Sequence, residues 1–438
     1  MTDSVRRAGA FTALSTLVLV VPVLGSLLAA PIAVLLLVGA LVITRGPVFE
    51  VLALPPDRDA GRLYGVAGFV LAAILLGVLA EMTSLSTSVF VGTVLLLGYG
   101  GFAEALVRRR IDDAAIGAFA FIVGGSLAAV AGVLATIRLE GATLADWLGP
   151  VLFLAASGTL LAALLRDVLI RYDDPIVMLA VGLLLWLLEV LDPGLAPIEI
   201  GAAVAITGAF GVIAYGLGTA SVAGMLTGVV LGLLTIVLGG VAWFVALIAF
   251  FAVGGLSTKF RYERKLERGV AEANEGARGT GNVLSNSAVA LLAVLGYAAA
   301  LDGLVPLAED LFLLAFLGAV ATALADTLSS EIGGLFDRPR LLTTLEPVEP
   351  GTDGAITWQG QLAGLSGAGI IAGIALGLFD TIDPLLAGVV VVAGLLGMTV
   401  DSLLGATVEN WLLGNQGVNF LATLGGALVG VAAALAMA

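Results

Sequence analysis

Four stretches in the second half of this chain carry side chains able to hold a cation or an anion. The first is Ala325-Asp326-Thr327-Leu328-Ser329-Ser330-Glu331-Ile332-Gly333, which closes an apolar run. On a helix, Asp326, Ser329 and Ser330 stand at i, i+3 and i+4 and share one side, with Glu331 at the boundary. A carboxylate costs about 2.5–3.5 kcal/mol near the centre of a membrane span and less near its end, so one retained there points to a cation, a proton or a partner. The plainer alternative is a helix-end carboxylate wetted by the interface. The second stretch is Val400-Asp401-Ser402-Leu403-Leu404-Gly405-Ala406-Thr407-Val408-Glu409. Residues 401, 405 and 409 fall on one face if the helix continues that far, and Gly405 allows close approach. Oxygen-only ligands suit magnesium, which takes one or two carboxylates and completes its shell with substrate phosphates and water. Proton- or sodium-coupling carboxylates of a secondary transporter are the competing account.

The third stretch runs from Asn274-Glu275-Gly276-Ala277-Arg278-Gly279 through Thr280-Gly281-Asn282-Val283-Leu284-Ser285-Asn286. Its small residues let backbone N–H groups approach phosphate oxygens, and Arg278 adds a fork of donors. Asn282 and Asn286 are four apart at a helix start, where anions are favoured. The Gly-Lys-Ser/Thr ending of a P-loop is absent, and a flexible basic linker is the alternative. The fourth, Thr343-Thr344-Leu345-Glu346-Pro347-Val348-Glu349-Pro350-Gly351-Thr352-Asp353-Gly354, ends in a turn with several free N–H groups. Taken alone it is equally a plain acidic loop. Lys265 sits among Lys259, Arg261, Arg264 and Arg268. As one of two lysines in the chain it is a candidate phosphate contact, although such a cluster also serves simply to orient a membrane protein.

The elements that must position these groups are membrane helices. Of 438 residues 60% are hydrophobic and 12% charged, about half the charged share of a soluble domain, and the mean hydropathy is +1.13. Apolar runs near 10–28, 29–44, 63–81, 86–106, 115–136, 147–165, 175–191, 201–218, 220–238, 240–256, 286–303, 311–330, 356–379, 384–405 and 417–437 predict an all-α polytopic bundle of about 13–15 transmembrane helices. Such a chain is not a soluble enzyme, a DNA-binding protein or a secreted disulfide scaffold. It has no cysteine and no histidine, which removes thiolate and imidazole chemistry and leaves a hard cation as the matching metal. With the N terminus inside, eighteen of the nineteen basic residues fall in inner loops, Arg138 being the exception, as the positive-inside rule requires. This puts the N terminus and the four stretches on the cytosolic side of a plasma membrane. The N-terminal apolar stretch shows no clear cleavage site of a signal peptide. The net charge of −14 argues against a nucleic-acid partner. An acidic, lysine-poor composition suggests a salt-loving host. Residues 1–200 read as an N-terminal transmembrane extension without an assigned role, and residues 201–438 as the functional domain. One faint internal similarity lays Ala103-Glu104-Ala105-Leu106 against Ala325-Asp326-Thr327-Leu328.

The order of these motifs, from Lys265 through Gly276–Asn286, Ala325–Gly333, Thr343-Thr344, Pro350–Ala355 and Gly360 to Asp401–Ala406, resembles an integral membrane family. That family includes the plant and cyanobacterial phytyl-phosphate kinases and an animal transmembrane relative. In layout it is similar to phytol kinase, dolichol kinase and phosphatidate cytidylyltransferase. The match covers about residues 200–438, and the chain departs from the family in its extra N-terminal spans and in Glu409-Asn410. The resemblance implies phosphoryl transfer from a nucleoside triphosphate, CTP foremost, to a prenyl monophosphate. In an archaeal host, geranylgeranyl phosphate is the matching acceptor. Asp326 and Asp401, supported by Glu331, are then expected to hold Mg2+. Lys265, Arg278, Gly281 and Asn282 are expected at the phosphates, and Asn286, Thr352 and Gly354 around the pocket. A cytidylyltransferase acting on a lipid phosphate would use the same cation site.

Overall fold

The computed structural model describes residues 2–169, 173–191, 193–272, 276–409 and 411–437. Arg171, Asn274, Glu275 and Asn410, all named or counted in the sequence reading, lie outside the described residues. The chain divides into two compact units, residues 1–204 and 205–438. The first contains α1 (Thr2–Thr16), α2 (Val20–Leu24), α3 (Ser26–Val42), α4 (Pro47–Leu52), α5 (Pro55–Ala60), α6 (Tyr64–Met82), α7 (Thr87–Arg108), α8 (Ala114–Leu139), α9 (Leu148–Val168) and α10 (Asp173–Val190). The point of division lies within α11 (Pro197–Gly216). The second unit continues with α12 (Val222–Leu238), α13 (Val241–Lys259), α14 (Tyr262–Glu267), α15 (Thr280–Leu301), α16 (Glu309–Gly333), α17 (Trp358–Leu378), α18 (Pro384–Thr407) and α19 (Asn415–Met437).

The fold is an all-α polytopic bundle, and twelve of the described helices are long and apolar enough to cross a membrane. The predicted runs 29–44 and 220–238 form α3 and α12, each 17 residues long, at the short end of what spans a bilayer core.

In the second unit α16 is the central helix, packed against α13, α15, α17, α18 and α19. Lipid offers no hydrophobic drive for helices to associate, so contact depends on small residues that let backbones approach. Gly397 of α18 meets this need, since a Cβ there would stand 2.1 Å from Thr322 Oγ1 of α16. The buried Thr322 hydroxyl lies 2.9 Å from the Gly318 carbonyl on its own helix and 3.3 Å from that of Ala393 on α18. This contact fixes α16 beside α18 and thereby the alignment of their polar C-terminal ends.

The long loop after α16 closes through a short antiparallel pair, β1 (Arg340–Leu341) and β2 (Ala355–Ile356), with Arg340 opposite Ile356 and Leu341 opposite Ala355. Gly354 turns into β2 at φ +71° and rests on α18, where a Cβ would fall 2.3 Å from Ala406 N. Thr357 then starts α17, its hydroxyl accepting from Gly360 N–H at 3.1 Å. The α18 helix stops at Thr407, short of the continuation to 409 that the sequence pattern allowed. Glu409 therefore sits past the helix end, its N–H donating to the Leu404 carbonyl at 3.2 Å.

Filling the α16–α18 contact should loosen the bundle. Gly397→Val is expected to cost about 1–3 kcal/mol, read as a lower thermal midpoint of the detergent-solubilised protein relative to Gly388→Val, whose added side chain meets open space.

Candidate functional site

The C-terminal ends of α13, α16 and α18, the N-terminal ends of α15 and α19, and the 331–355 loop enclose one polar cavity of about 500 Å³ in the second unit. Of the residues singled out from sequence, Arg278, Asn282, Asn286, Asp326, Glu331, Thr352, Gly354 and Asp401 line it, whereas Lys265 and Gly281 do not.

Asp326 near the end of α16 and Asp401 near the end of α18 are brought together on the wall of this cavity, close enough for each carboxyl group to act on the other. Two ionised carboxylates repel at that separation, and a shared proton or a bound cation between them removes the repulsion. Asp401 Oδ1 is buried without a hydrogen-bond partner, as is Asn282 Oδ1. Both are oxygen acceptors, the donor set a magnesium ion takes. Among the described residues no three acidic side chains form a protein-only metal cage. The two aspartates fit an ion that would complete its shell with water and substrate phosphate.

Arg278 supplies the opposite chemistry. Its backbone is strapped to the α11–α12 turn, its N–H donating to the Thr219 carbonyl at 3.0 Å and its carbonyl accepting from Ser221 N–H at 3.1 Å. The guanidinium is buried, lies 5.3 Å from the Phe250 ring centroid, and has Nε and Nη1 without hydrogen-bond partners. Unspent, desolvated guanidinium donors bind phosphate oxygens strongly.

Glu331 behaves differently from its expected supporting role at the metal. Its carboxylate accepts from Lys265 Nζ. The same ammonium donates to the carbonyls of Ser257 at 2.7 Å and Thr258 at 3.2 Å. All three ammonium protons are thus used, and Lys265 is 1% exposed. It pins the end of α13 to the end of α16 instead of reaching a phosphate. Gly281 likewise has a packing role, since a Cβ there would meet Gln416 Nε2 of α19 at 2.1 Å. Arg268 closes the end of α16, donating to the carbonyls of Gly334 at 3.0 Å and Phe336 at 2.9 Å and pairing with Asp337 at 2.8 Å. That pairing holds the Asp337 carboxyl below its ordinary range. Asn286 donates through Nδ2 to the Asn282 carbonyl at 2.9 Å, and Thr352 Oγ1 donates to the Glu349 carbonyl at 2.8 Å.

Sequence reasoning missed Glu272, Asn415 and Asn419 among the cavity residues. Glu272 accepts from Asn282 Nδ2 at 3.3 Å, and burial, then the Glu331 charge, raises its pKa. Burial, then Asp353 and Asp401, does the same to Glu409. Asn415 and Asn419 repeat at the start of α19 the four-residue spacing of Asn282 and Asn286 at the start of α15, a signal present in the sequence. In the first unit Glu104, near the end of α7, is paired with Arg108 at 2.9 Å and Arg166 at 3.5 Å. Its carboxylate is engaged by arginines where that of Asp326 meets another acid.

A family model described as integral membrane protein DUF92 matches residues 205–427. An uncharacterised membrane protein of Methanocaldococcus jannaschii is 36% identical over 214 residues, 48% of this chain and 83% of that protein. An uncharacterised membrane protein of a Synechocystis strain is 32% identical, over 44% of this chain and 78% of its own length. The chloroplastic protein VTE6 of Arabidopsis thaliana is 32% identical, over 48% of this chain and 64% of its own length. No solved structure matches the chain.

Removing one partner of a buried ion pair strands the other charge. Lys265→Met is expected to destabilise by about 3–5 kcal/mol, and the double change with Glu331→Leu to restore most of that loss. Thermal unfolding of both variants in detergent checks the cycle.

Proposed function

The chain belongs to the DUF92 integral membrane family, and on that premise we propose that its second unit transfers a phosphoryl group from a nucleoside triphosphate, CTP foremost, to a prenyl monophosphate. The resemblance to phytyl-phosphate kinases and the likeness to VTE6 support this reading. The observation that carries it is a mismatch of charge within one cavity. Among the described residues, six carboxylates line it, from Glu272, Asp326, Glu331, Asp353, Asp401 and Glu409, against the single guanidinium of Arg278. An anionic nucleotide enters such a cavity only in company with cations, and the open acceptor Asp401 Oδ1 and open donors of Arg278 separate the two partners of a metal–phosphate complex.

In the proposed reaction an oxygen of the prenyl phosphate attacks the γ-phosphorus of CTP. The new O–P bond gives the prenyl diphosphate, and the bond to the β-phosphate oxygen breaks to release CDP. The attacking group is a phosphate monoester already ionised at neutral pH, so no strong general base is needed and a site without histidine suffices. Asp326 and Asp401 would hold Mg2+, which would neutralise charge on the transferred and leaving oxygens. Arg278 would bind and orient a phosphate, with Asn282 and Asn286 shaping the wall beside it. Glu331 and Lys265 position the ends of α16 and α13. The N terminus and the cavity mouth belong on the cytosolic side of the cell membrane in this proposal. Geranylgeranyl phosphate is the acceptor suited to an archaeal lipid chemistry.

Purified protein given CTP, magnesium and a panel of prenyl phosphates should form prenyl diphosphate and CDP, identified by mass spectrometry. Pyrophosphate with a CDP-linked lipid would instead make it a cytidylyltransferase. Asp326→Ala and Asp401→Ala are each expected to lower turnover about 100-fold or more, and chelation to abolish it until magnesium is returned. Full activity in the double aspartate variant would remove this site from the reaction.

A further inference from the structure

Arg278 lines a second cavity besides the polar one. This is a narrow cleft of about 60 Å³ between α11, α12 and α13, with Phe210, Met225, Gly228, Phe244, Ile248 and Phe251 among its walls. We propose that this cleft receives the hydrocarbon chain of the lipid phosphate whose phosphoryl group rests on Arg278, so that this residue is the hinge between a polar and an apolar subsite. The inference rests on the phosphotransfer reading for the identity of the lipid, and on geometry for the place of its tail.

Three observations carry it. The guanidinium is 7% exposed, with Nε and Nη1 lacking partners, so a buried cation stands unspent on a residue that borders both cavities. Its position is enforced by the backbone around it. A Cβ on Gly224 would strike the Arg278 carbonyl oxygen at 2.0 Å, and one on Gly254 would lie 3.1 Å from Nη2. Helices α12 and α13 therefore present bare backbone where the arginine must pass. Finally, the cleft follows the helices away from the arginine, from Gly255 to Phe244 on α13. Eleven residues at 1.5 Å each make this about 16 Å, roughly half the bilayer core. An amphiphile with its phosphate at Arg278 lays the first part of its chain along that path and leaves the remainder in lipid.

Gly228 allows a test, because a Cβ at that position meets nothing within 4 Å. A phenylalanine there can begin without a Cβ clash, and Gly228 is among the residues lining the cleft. Binding of geranylgeranyl phosphate and of inorganic phosphate to the full chain in detergent is measured without nucleotide, so the result does not depend on turnover. Wild type is expected to bind the lipid at least tenfold more tightly than inorganic phosphate. Gly228→Phe should weaken lipid binding at least tenfold and inorganic phosphate binding by much less. Gly369→Phe, on an exposed face of α17 where a side chain also meets open space, should leave lipid binding as in wild type. Arg278→Gln should weaken both ligands. Equal lipid affinity in Gly228→Phe and wild type, or equal affinity of wild type for lipid and inorganic phosphate, overturns the cleft assignment. Intact discrimination with no phosphotransfer to any prenyl phosphate keeps the cleft and defeats the kinase reading.

Discussion

The contact between Asp326 and Asp401 is the constraint around which the second unit is arranged. Two acidic groups on helices far apart in sequence do not approach unaided, because ionised they repel and in lipid each is costly to bury. The approach is imposed from below by the seam between α16 and α18, where Gly397 admits the Thr322 hydroxyl and the backbones run close. Bundle packing supplies the free energy, and the acids at the helix ends occupy the position that packing dictates. The fold therefore holds two acidic groups together at the helix ends, at a cost that the packing of the bundle offsets.

The loops complete what the helices begin. Lys265 ties α13 to α16, Arg268 covers the exposed carbonyls at the end of α16, and Gly354 lets the hairpin lie against α18. Lys265 and Arg268 thus act as fasteners, and among the described residues lining the cavity Arg278 is the base that keeps donors without partners. A cluster that looks like a generic positive loop in the sequence holds, in three dimensions, at least two separate fasteners, Lys265 and Arg268.

Much of this was legible in the sequence. Period and composition disclosed the bundle, because a span must satisfy its backbone internally and hide no charge. The spacing of Asp326 with Ser329 and Ser330, and the matching acid at 401, marked the two helix ends that meet. The role of Lys265 was not legible, since its partner Glu331 lies 66 residues away and scarcity of lysine says nothing about which anion it finds. Gly281 was read as a phosphate cradle because small residues in a loop allow that. Its actual neighbour, Gln416, comes from a helix that sequence alone does not place. Glu409 was expected on a helical face, but α18 ends at Thr407 and a turn carries the acid to the same cavity. Asn415 and Asn419 carried a usable signal in their spacing, overlooked because polar residues at a helix start are common as caps.

The burial of the Lys265–Glu331 pair also bears on the ionic environment this protein tolerates. In molar electrolyte the Debye length shrinks to about 3 Å, and contacts exposed to solvent lose most of their Coulombic attraction. The Arg268–Asp337 pair, with an aspartate 82% exposed, belongs to that class, whereas the lysine of the other pair is 1% exposed and its glutamate 12%. Dissolved ions have little access to that clasp, so the register of α13 against α16 is insulated from brine.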